Sequence, residues 1–279
     1  MIILLVGMSL TTSAQFGETQ AKGAYSLALA GADVNATNVY SLFSNQAGLS
    51  QSESFEVMVT GVQLNSIVEL SDLSLGIVIP TRSYGTFGIG VSNFGFAEFN
   101  EQIIGLGYGR QLGGFLAIGA KLNLVSTGIQ SFGRTNYGTV EIGIQSQVVD
   151  QVMFGFHIQS PVAVTVVNNQ VTPTKLSAGL SYLPTDKLSV TVEGSKYIDG
   201  DFTASLGIDY RIVDILSLRV GAATLPGTFS AGLALHLRNL YRVELGFSFH
   251  EVLGLTPGIS VVYSRDSISD SRSKTRTRK

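Results

Sequence analysis

Residues 71–93, SDLSLGIVIPTRSYGTFGIGVSN, contain two runs in which large apolar residues alternate with small or polar ones. The apolar positions are Leu73, Leu75, Ile77 and Ile79 in the first run and Phe87, Ile89 and Val91 in the second. A period of two puts alternate side chains on opposite faces of a β-strand. The stretch therefore predicts two strands, each with one apolar face and one wet face, joined by a tight turn at residues 81–83.

The same alternation recurs from about residue 54 to residue 264 and predicts fourteen strands. They lie near 54–61, 71–80, 84–93, 99–110, 114–125, 137–148, 151–158, 174–183, 187–195, 201–212, 215–223, 227–238, 240–250 and 257–264. Most of these segments suit tilted membrane strands, which need about 9–11 residues. An even strand number is typical of bacterial single-chain outer-membrane barrels.

The connections between the predicted strands alternate in length. Short ones fall at 81–83, 111–113, 149–150, 184–186, 213–214 and Asn239, and longer ones at 62–70, 94–98, 126–136, 159–173, 196–200, 224–226 and 251–256. All tight turns then lie at one end, as in outer-membrane barrels with short periplasmic turns and longer external loops. The fold class predicted is all-β: a transmembrane antiparallel up-and-down β-barrel of fourteen strands over residues 54–264. A secreted soluble β-sandwich remains the alternative, although its crossing connections scatter loop lengths.

The composition agrees with a membrane barrel. Hydrophobic residues make up 44% of the chain and charged residues 14%, against about 25% charged in an ordinary globular protein. No run of about 18 apolar residues predicts a spanning helix. The absence of cysteine excludes disulfides and thiolate chemistry, and a net charge of −2 does not indicate a nucleic-acid partner.

The two ends of the chain differ from the middle. Residues 1–14, MIILLVGMSLTTSA, are predicted to be a signal peptide for export, although no Lys or Arg precedes Lys22. A start upstream of Met1 would explain this, and a buried N-terminal strand is the alternative. Residues 265–279 form a basic tail, predicted to be disordered and solvated, for which an anionic partner remains open. Residues 15–53 are expected to act as a hatch or plug, since fourteen strands enclose more space than their own side chains fill.

The wet faces of the strands carry charges that we expect to line the lumen. The candidates are Lys121, Glu141, His157, Glu193, Asp209, Arg211, Arg219, His236, Arg242 and Glu244. Pairing across the tight turns would put Asp209 opposite Arg219, Arg211 opposite Ser217, His236 opposite Arg242 and Ala234 opposite Glu244. These groups either neutralise a polar lumen, or line a polar route or latch the hatch.

No constellation in the sequence indicates an enzyme. The three histidines lie on different predicted strands without the carboxylate spacing of a metal site, and no G-x-S-x-G elbow occurs. Gly105, Gly107 and Gly109 alternate within one strand and are not a dinucleotide loop. We therefore expect no catalytic residue, metal or cofactor. Phe94, Phe96 and Phe99 could form an apolar ligand entrance at the external mouth, or belong to an ordinary interfacial aromatic girdle.

Two stretches before the first strand resemble a known signature. Residues 23–34 read GAYSLALAGADV and residues 44–49 read SNQAGL. They are similar to the pattern G-A-R-S-x-x-x-G-G-A-x-V followed by N-P-A-G-L. This pattern marks the outer-membrane family of FadL-type long-chain fatty-acid transporters and of the PorV/PorQ proteins of type IX secretion. The matches are Gly23, Ala24, Ser26, Gly31, Ala32, Val34, Asn45, Ala47, Gly48 and Leu49, whereas Tyr25 replaces the Arg, Ala30 a Gly and Gln46 the Pro.

The resemblance implies a fourteen-stranded barrel in the outer membrane of a Gram-negative bacterium, with trimmed external loops. It implies a hatch that includes Gly23, Gly31, Asn45, Ala47, Gly48 and Leu49. A FadL-like protein would pass small hydrophobic molecules passively, with outer-membrane lipid around it. A PorV/PorQ-type protein would instead be a secretion component with secretion-machine subunits as partners. The sequence leaves both functions open.

Overall fold

Fourteen antiparallel strands follow one another around a closed barrel. The computed structural model describes residues 22–81, 83–162, 164, 171–198, 200–238 and 240–266. Each strand pairs with its neighbour in sequence, and the first strand closes the barrel by pairing with the last. The predicted fold class is confirmed. In these described ranges, no helix has the length and apolar character needed to cross a membrane.

The strands match the fourteen predicted segments in number and order. They are β1 (Ser54–Gln63), β2 (Ser71–Thr81), β3 (Gly85–Gly95), β4 (Phe99–Leu112), β5 (Leu116–Ile129), β6 (Gly133–Val149), β7 (Val152–Gln159), β8 (Lys175–Thr185), β9 (Leu188–Tyr197), β10 (Phe202–Val213), β11 (Leu216–Ala223), β12 (Thr228–Leu237), β13 (Tyr241–His250) and β14 (Gly254–Asp266). The helices are short: α1 (Gly23–Ala28) and the 3₁₀ helices Val39–Leu42, Gln46–Gln51, Leu64–Ser66 and Val68–Leu70.

The expected long connection at 126–136 is mostly strand. β5 and β6 stay paired as far as Ile129 and Gly133, so only residues 130–132 form the turn. Apart from Ile129 and Phe132, residues 126–136 are polar or small on both faces, and alternation cannot reveal a strand whose two faces are alike. β14 likewise starts at Gly254 and ends at Asp266, outside the predicted bounds of 257 and 264. The predicted signal peptide and most of the predicted tail lie outside the described residues.

The outward and inward faces of the wall differ as the alternation predicts. On β4 and β5 the outward side chains of Ile104, Leu106, Leu122 and Leu124 are more than half exposed. The intervening positions face the lumen and are buried, Lys121 and Asn123 among them. A closed wall leaves no sheet edge, so every backbone donor can be paired within the sheet. The barrel therefore presents a continuous apolar surface on its outside.

Residues 22–53, called here the luminal segment, fill the inside of the barrel. α1 packs against β11 to β14 and β1, and the helix Gln46–Gln51 packs against β2 to β6. Val39, Leu42, Ala47 and Leu49 have no exposed surface. The hydrophobic core of the protein is therefore the contact between this segment and the inner wall, and not a contact between two sheets.

Twelve strands present an inward glycine directly against the luminal segment. This glycine belt consists of Gly76, Gly88, Gly107, Gly119, Gly143, Gly155, Gly179, Gly207, Gly221, Gly232, Gly246 and Gly258. A Cβ atom at any of these positions would lie within 3.1 Å of a luminal-segment atom. At Gly143 the separation from Asn45 Oδ1 would be only 1.9 Å. The two remaining strands, β1 and β9, meet the segment with Thr60 and Glu193. The glycines therefore let the wall approach the segment at van der Waals distance.

Replacement of one belt glycine should weaken the packing of the luminal segment. We expect Gly143→Ala to destabilise the protein by about 1–3 kcal/mol, the usual cost of overpacking. Gly138→Ala on the same strand is the matched control, because Gly138 faces outward and its nearest neighbour would be 3.7 Å away. Urea unfolding of the detergent-solubilised protein, followed by circular dichroism, measures both. Equal midpoints for the two variants would contradict the role of the belt.

Candidate functional site

Two wall carboxylates bind the backbone of the luminal segment. Glu193 accepts hydrogen bonds from the amides of Asp33 at 3.0 Å and Val34 at 2.9 Å. Glu56 accepts one from the amide of Val39 at 2.7 Å. These amides belong to turns and helix starts and have no strand partner, so each would be costly to bury without an acceptor. The wall therefore supplies the acceptors that an irregular segment needs.

A third wall carboxylate, Glu141, gathers donors from the wall and from the luminal segment. Asn123 Nδ2 lies 2.6 Å and Lys121 Nζ 3.2 Å from Glu141 Oε1, while Gln46 Nε2 lies 2.8 Å and His157 Nε2 3.3 Å from Oε2. All four neighbouring nitrogen groups can donate a hydrogen bond to the carboxylate. The group is fully enclosed, and the adjacent Lys121 balances its charge. Gln46, at the position where the family pattern has Pro, is thus tied to β6.

The fourth wall carboxylate, Glu244, lies at the centre of a cluster that contains two arginines. Its side chain is 0% exposed and accepts a hydrogen bond from the Tyr40 hydroxyl of the luminal segment. Arg242 Nε lies 2.7 Å from its Oε1, and Arg219 Nη1 lies 3.2 Å from its Oε2. Arg219 Nε in turn donates to Asp209 at 2.8 Å. Two arginines and two acids therefore neutralise one another around the tyrosine.

Two stacked tyrosines connect the same cluster to the luminal segment. The rings of Tyr25 and Tyr40 lie 4.7 Å apart with an 18° angle between their planes. The Arg219 guanidinium is 4.6 Å from the Tyr25 ring and the Arg242 guanidinium is 5.6 Å from the Tyr40 ring, both within cation–π range. Burial raises the pKa of both phenols, so Tyr40 keeps the proton that it donates to Glu244. Tyr25 occupies the position of the Arg in the family pattern. In this chain the positive charge beside that position belongs to Arg219 of the wall.

The matched motif residues hold the fold of the luminal segment. Asn45 Nδ2 donates to the carbonyls of Val34 at 2.9 Å and Ile144 at 3.1 Å, and Oδ1 accepts from the amide of Ala47. A Cβ at Gly48 would lie 1.9 Å from the Ala36 carbonyl oxygen. Gly23 and Gly31 both have positive φ, at +91° and +77°, which glycine adopts without strain. Ala47 and Leu49 are fully buried against the wall.

All ten charged candidates lie on inward-facing positions of the wall. The expected register is confirmed, with Asp209 opposite Arg219, Arg211 opposite Ser217, His236 opposite Arg242 and Ala234 opposite Glu244. Arg211 is exposed at the tight-turn end of the lumen, whereas Lys121, Glu141, His157, Glu193, Arg219 and Glu244 are buried. Phe94 and Phe99 have ring centroids 6.3 Å apart at the opposite end, and Phe96 is 36% exposed beside them. Whether ligands enter there stays a prediction.

Several residues of the site had no signal strong enough to identify them in the sequence. Glu56 and Asp72 are single acids on inward strand positions, and Asp72 forms an ion pair with Lys22 of the luminal segment. Gln145 donates to the carbonyls of Val34 at 3.0 Å and Ala36 at 3.1 Å. The alternation of the strands predicts that these side chains point inward. It does not predict their partners, because the partners lie up to 111 residues away in sequence.

The space left in the lumen is small. Cavities of about 40 and 80 Å³ lie beside Phe43, toward the end opposite the tight turns, and one of about 250 Å³ lies at the tight-turn end. The first is lined by Phe43, Ile103 and Val125 together with Lys22, Glu101 and Lys121, among others. In the part of the chain that the structure describes, no three histidine or acidic side chains are placed to hold a metal ion.

A closed fourteen-stranded barrel filled by its own N-terminal segment defines the fold class of this chain as an outer-membrane-type β-barrel. The comparisons make the class specific, because this chain has the fold of the FadL-type channels. It is similar to a Pseudomonas aeruginosa FadL homologue at 10% identity, with 88% of this chain and 98% of that chain covered and a TM-score of 0.65. The Pseudomonas putida toluene transporter TodX gives 14% identity, coverage of 90% and 99%, and a TM-score of 0.66. The Ralstonia pickettii toluene transporter TbuX is 12% identical, with 88% of this chain and 98% of that chain covered and a TM-score of 0.61.

Sequence comparison adds nothing to this likeness in structure. No protein-family model matches the chain, and no curated protein matches it significantly. At these low identities the likeness shows a shared fold and leaves the cargo undefined.

Removal of the charge at Glu244 should loosen the luminal segment. We expect Glu244→Gln to cost about 3–5 kcal/mol of stability, because two arginines lose their shared buried partner. Limited proteolysis should then cut within residues 22–53. Glu251→Gln, in the exposed turn of the same hairpin, is the control. Proteolysis of Glu244→Gln that matches this control would show that the cluster does not hold the segment.

Proposed function

We propose that this protein is a gated channel of the Gram-negative outer membrane that passes small hydrophobic molecules without energy coupling. The observation that carries the proposal is a lumen closed by the luminal segment, which the wall holds through separate noncovalent contacts. Hydrogen bonds and ion pairs of this kind can exchange with water or cargo, so the segment can shift without unfolding the barrel. Residues 1–14 would direct export.

The outward surface supports a location in a membrane. Side chains such as Leu122 and Leu124, 62% and 70% exposed, would be unfavourable in water over the whole circumference of a soluble protein. The same side chains gain free energy in hydrocarbon at about 25 cal/mol per Å². Tyr84, Phe115 and Tyr241 are exposed near the tight-turn end, where aromatic residues prefer the lipid interface.

The two cavities beside Phe43, at the end opposite the tight turns and called here the upper cavities, support a cargo with both apolar and polar parts. The lining of the 40 Å³ cavity joins Phe43, Ile103 and Val125 to the charged side chains of Lys22 and Lys121. The similar solved structures include toluene transporters. For this chain we expect a small hydrophobic molecule that carries a hydroxyl or another polar group, since the lining is partly polar and a pure hydrocarbon could form no hydrogen bond with it. Phe94, Phe96 and Phe99 would form the entrance.

Loosening the second half of the luminal segment should increase passage. Asn45→Ala removes the donor to the Val34 and Ile144 carbonyls, and we expect uptake of benzyl alcohol into proteoliposomes to rise several-fold. Ser66→Ala, in an exposed turn between β1 and β2, is the control. Uptake through Asn45→Ala that stays at the level of this control, with the segment demonstrably loosened by proteolysis, would contradict gating by the segment.

A role as a PorV/PorQ-type secretion component is the second candidate. In the described residues, each of the seven connections opposite the tight turns exposes a large apolar side chain. These are Ile67, Val68, Phe96, Phe132, Val162, Val171, Ile198, Leu225, Val252 and Leu253. Loops that meet only water are usually polar, so an apolar rim favours docking of a protein partner.

Charge on the apolar rim should separate the two functions. Val68→Asp combined with Val252→Asp should abolish co-purification of secretion-machine subunits if the rim is their docking surface. The control is Ile215→Asp, which puts the same charge on an exposed apolar residue in the tight turn between β10 and β11, at the opposite end of the barrel. The second candidate fails if no such subunits accompany the wild-type protein and export continues in a deletion strain.

A further inference from the structure

A cavity inside the barrel opens toward the tight-turn end and is lined mainly by polar side chains. Its volume is about 250 Å³, and it lies between the luminal segment and strands β7 to β13. The segment contributes Asn35, Thr37 and Asn38, and the β8–β9 turn contributes Lys187. The proposed channel function does not use this space, which lies on the opposite side of the luminal segment from the upper cavities.

Four strands place hydrogen-bond donors side by side at the mouth of this cavity. The register sets Arg211 of β10 opposite Ser217 of β11, and His236 of β12 opposite Arg242 of β13. Ser217 Oγ lies 3.2 Å from His236 Nε2 and links the two pairs. All four side chains line the cavity. The row nearest the tight turns therefore presents two guanidinium groups, an imidazole and a hydroxyl to one space.

Most acids of this region lie two residues further from the tight turns along their strands and already form ion pairs. Asp209 binds Arg219, and Glu244 is shared by Arg219 and Arg242. Arg242 Nη2 is buried without a hydrogen-bond partner. Among the described residues, Arg211 forms no ion pair. Guanidinium groups without their full set of acceptors are the usual binding elements for phosphate and carboxylate oxygens.

Two further acids and one further cation complete the charge balance. Asp33 and Asp186 also border the cavity, as does Lys187. Burial raises the pKa of Asp33, which lowers the share of its charged form. Asp186 belongs to the turn beside Lys187, and Lys187 Nζ lies 4.0 Å from Asp214. Asp209 and Glu244 balance Arg219 and Arg242, so the positive charge without an acidic partner is that of Arg211, while Arg242 keeps unused donors across the His236–Ser217 link.

We propose that this cavity is a binding site for a phosphate-bearing molecule that arrives from the tight-turn side. Arg211 and Arg242 would contact the phosphate oxygens from two sides, and Ser217 or His236 would donate a third hydrogen bond. A phosphate offers three oxygens and up to two negative charges to donors that converge from different strands, whereas a carboxylate offers two oxygens and one charge, so a phosphate fits better. Its source is either a soluble phosphate ester or the headgroup of a phospholipid in the adjacent leaflet.

Isothermal titration calorimetry of the full chain in nonionic detergent tests the site with inorganic phosphate and glycerol 3-phosphate. Thermal melting in nanodiscs of phosphatidylglycerol or phosphatidylcholine tests the headgroup. Arg211→Gln removes the guanidinium that holds no ion pair, and Ser217→Ala removes the hydroxyl. Lys196→Gln is the control, because Lys196 is exposed at the other end of β9. Retention of the heat-modifiable folded band shows that each variant has folded.

We expect Arg211→Gln to weaken phosphate binding at least fivefold and Ser217→Ala to weaken it about twofold to threefold, with Lys196→Gln unchanged. If only the headgroup binds, phosphatidylglycerol should raise the melting temperature of the wild type but not of Arg211→Gln. Wild-type protein that responds to neither probe overturns the proposal. So does binding that Arg211→Gln and Lys196→Gln reduce equally, because that pattern indicates general surface charge. None of these outcomes depends on whether the channel passes hydrophobic cargo.

Discussion

The close contact between the luminal segment and the glycine belt is the constraint on which the rest of the structure depends. A wall that meets the side chains and backbone of the luminal segment at van der Waals distance has no room for a Cβ, so inward positions on twelve strands are glycine. The same contact closes the lumen, beside cavities of about 40, 80 and 250 Å³. The barrel wall and its contents therefore form one packed unit in the closed state.

Buried carboxylates fix the orientation of the segment within this packed unit. An ionised group taken out of water is costly unless several donors surround it. Glu141, Glu193 and Glu244 each receive two or more donors or positive charges, at least one of them from the luminal segment. Removal of the segment would leave these carboxylates partly unpaired, so charge and packing favour the same closed arrangement. Opening must supply replacements for these donors, from water or from cargo.

The alternation of apolar and small residues was enough to predict fourteen strands, their order and the register across the tight turns. It failed at residues 126–136, where both faces of the hairpin tip are alike. The alternation also put glycines on the inward face, but it did not explain why these positions are glycine, since small residues suit any crowded lumen. The partners of the segment could not be predicted, because Tyr40 and Glu244 are 204 residues apart and only the closed barrel brings them together.

The most direct test is hydrogen–deuterium exchange of the wild-type protein in detergent, resolved to peptides. The central claim is that the luminal segment is as firmly packed as the wall around it. Peptides from residues 22–53 should then exchange as slowly as peptides from β13, while the turn at residues 251–253 exchanges within seconds. Exchange of residues 22–53 as fast as that turn would contradict the claim, because it would show a segment that is only loosely held in an otherwise stable barrel.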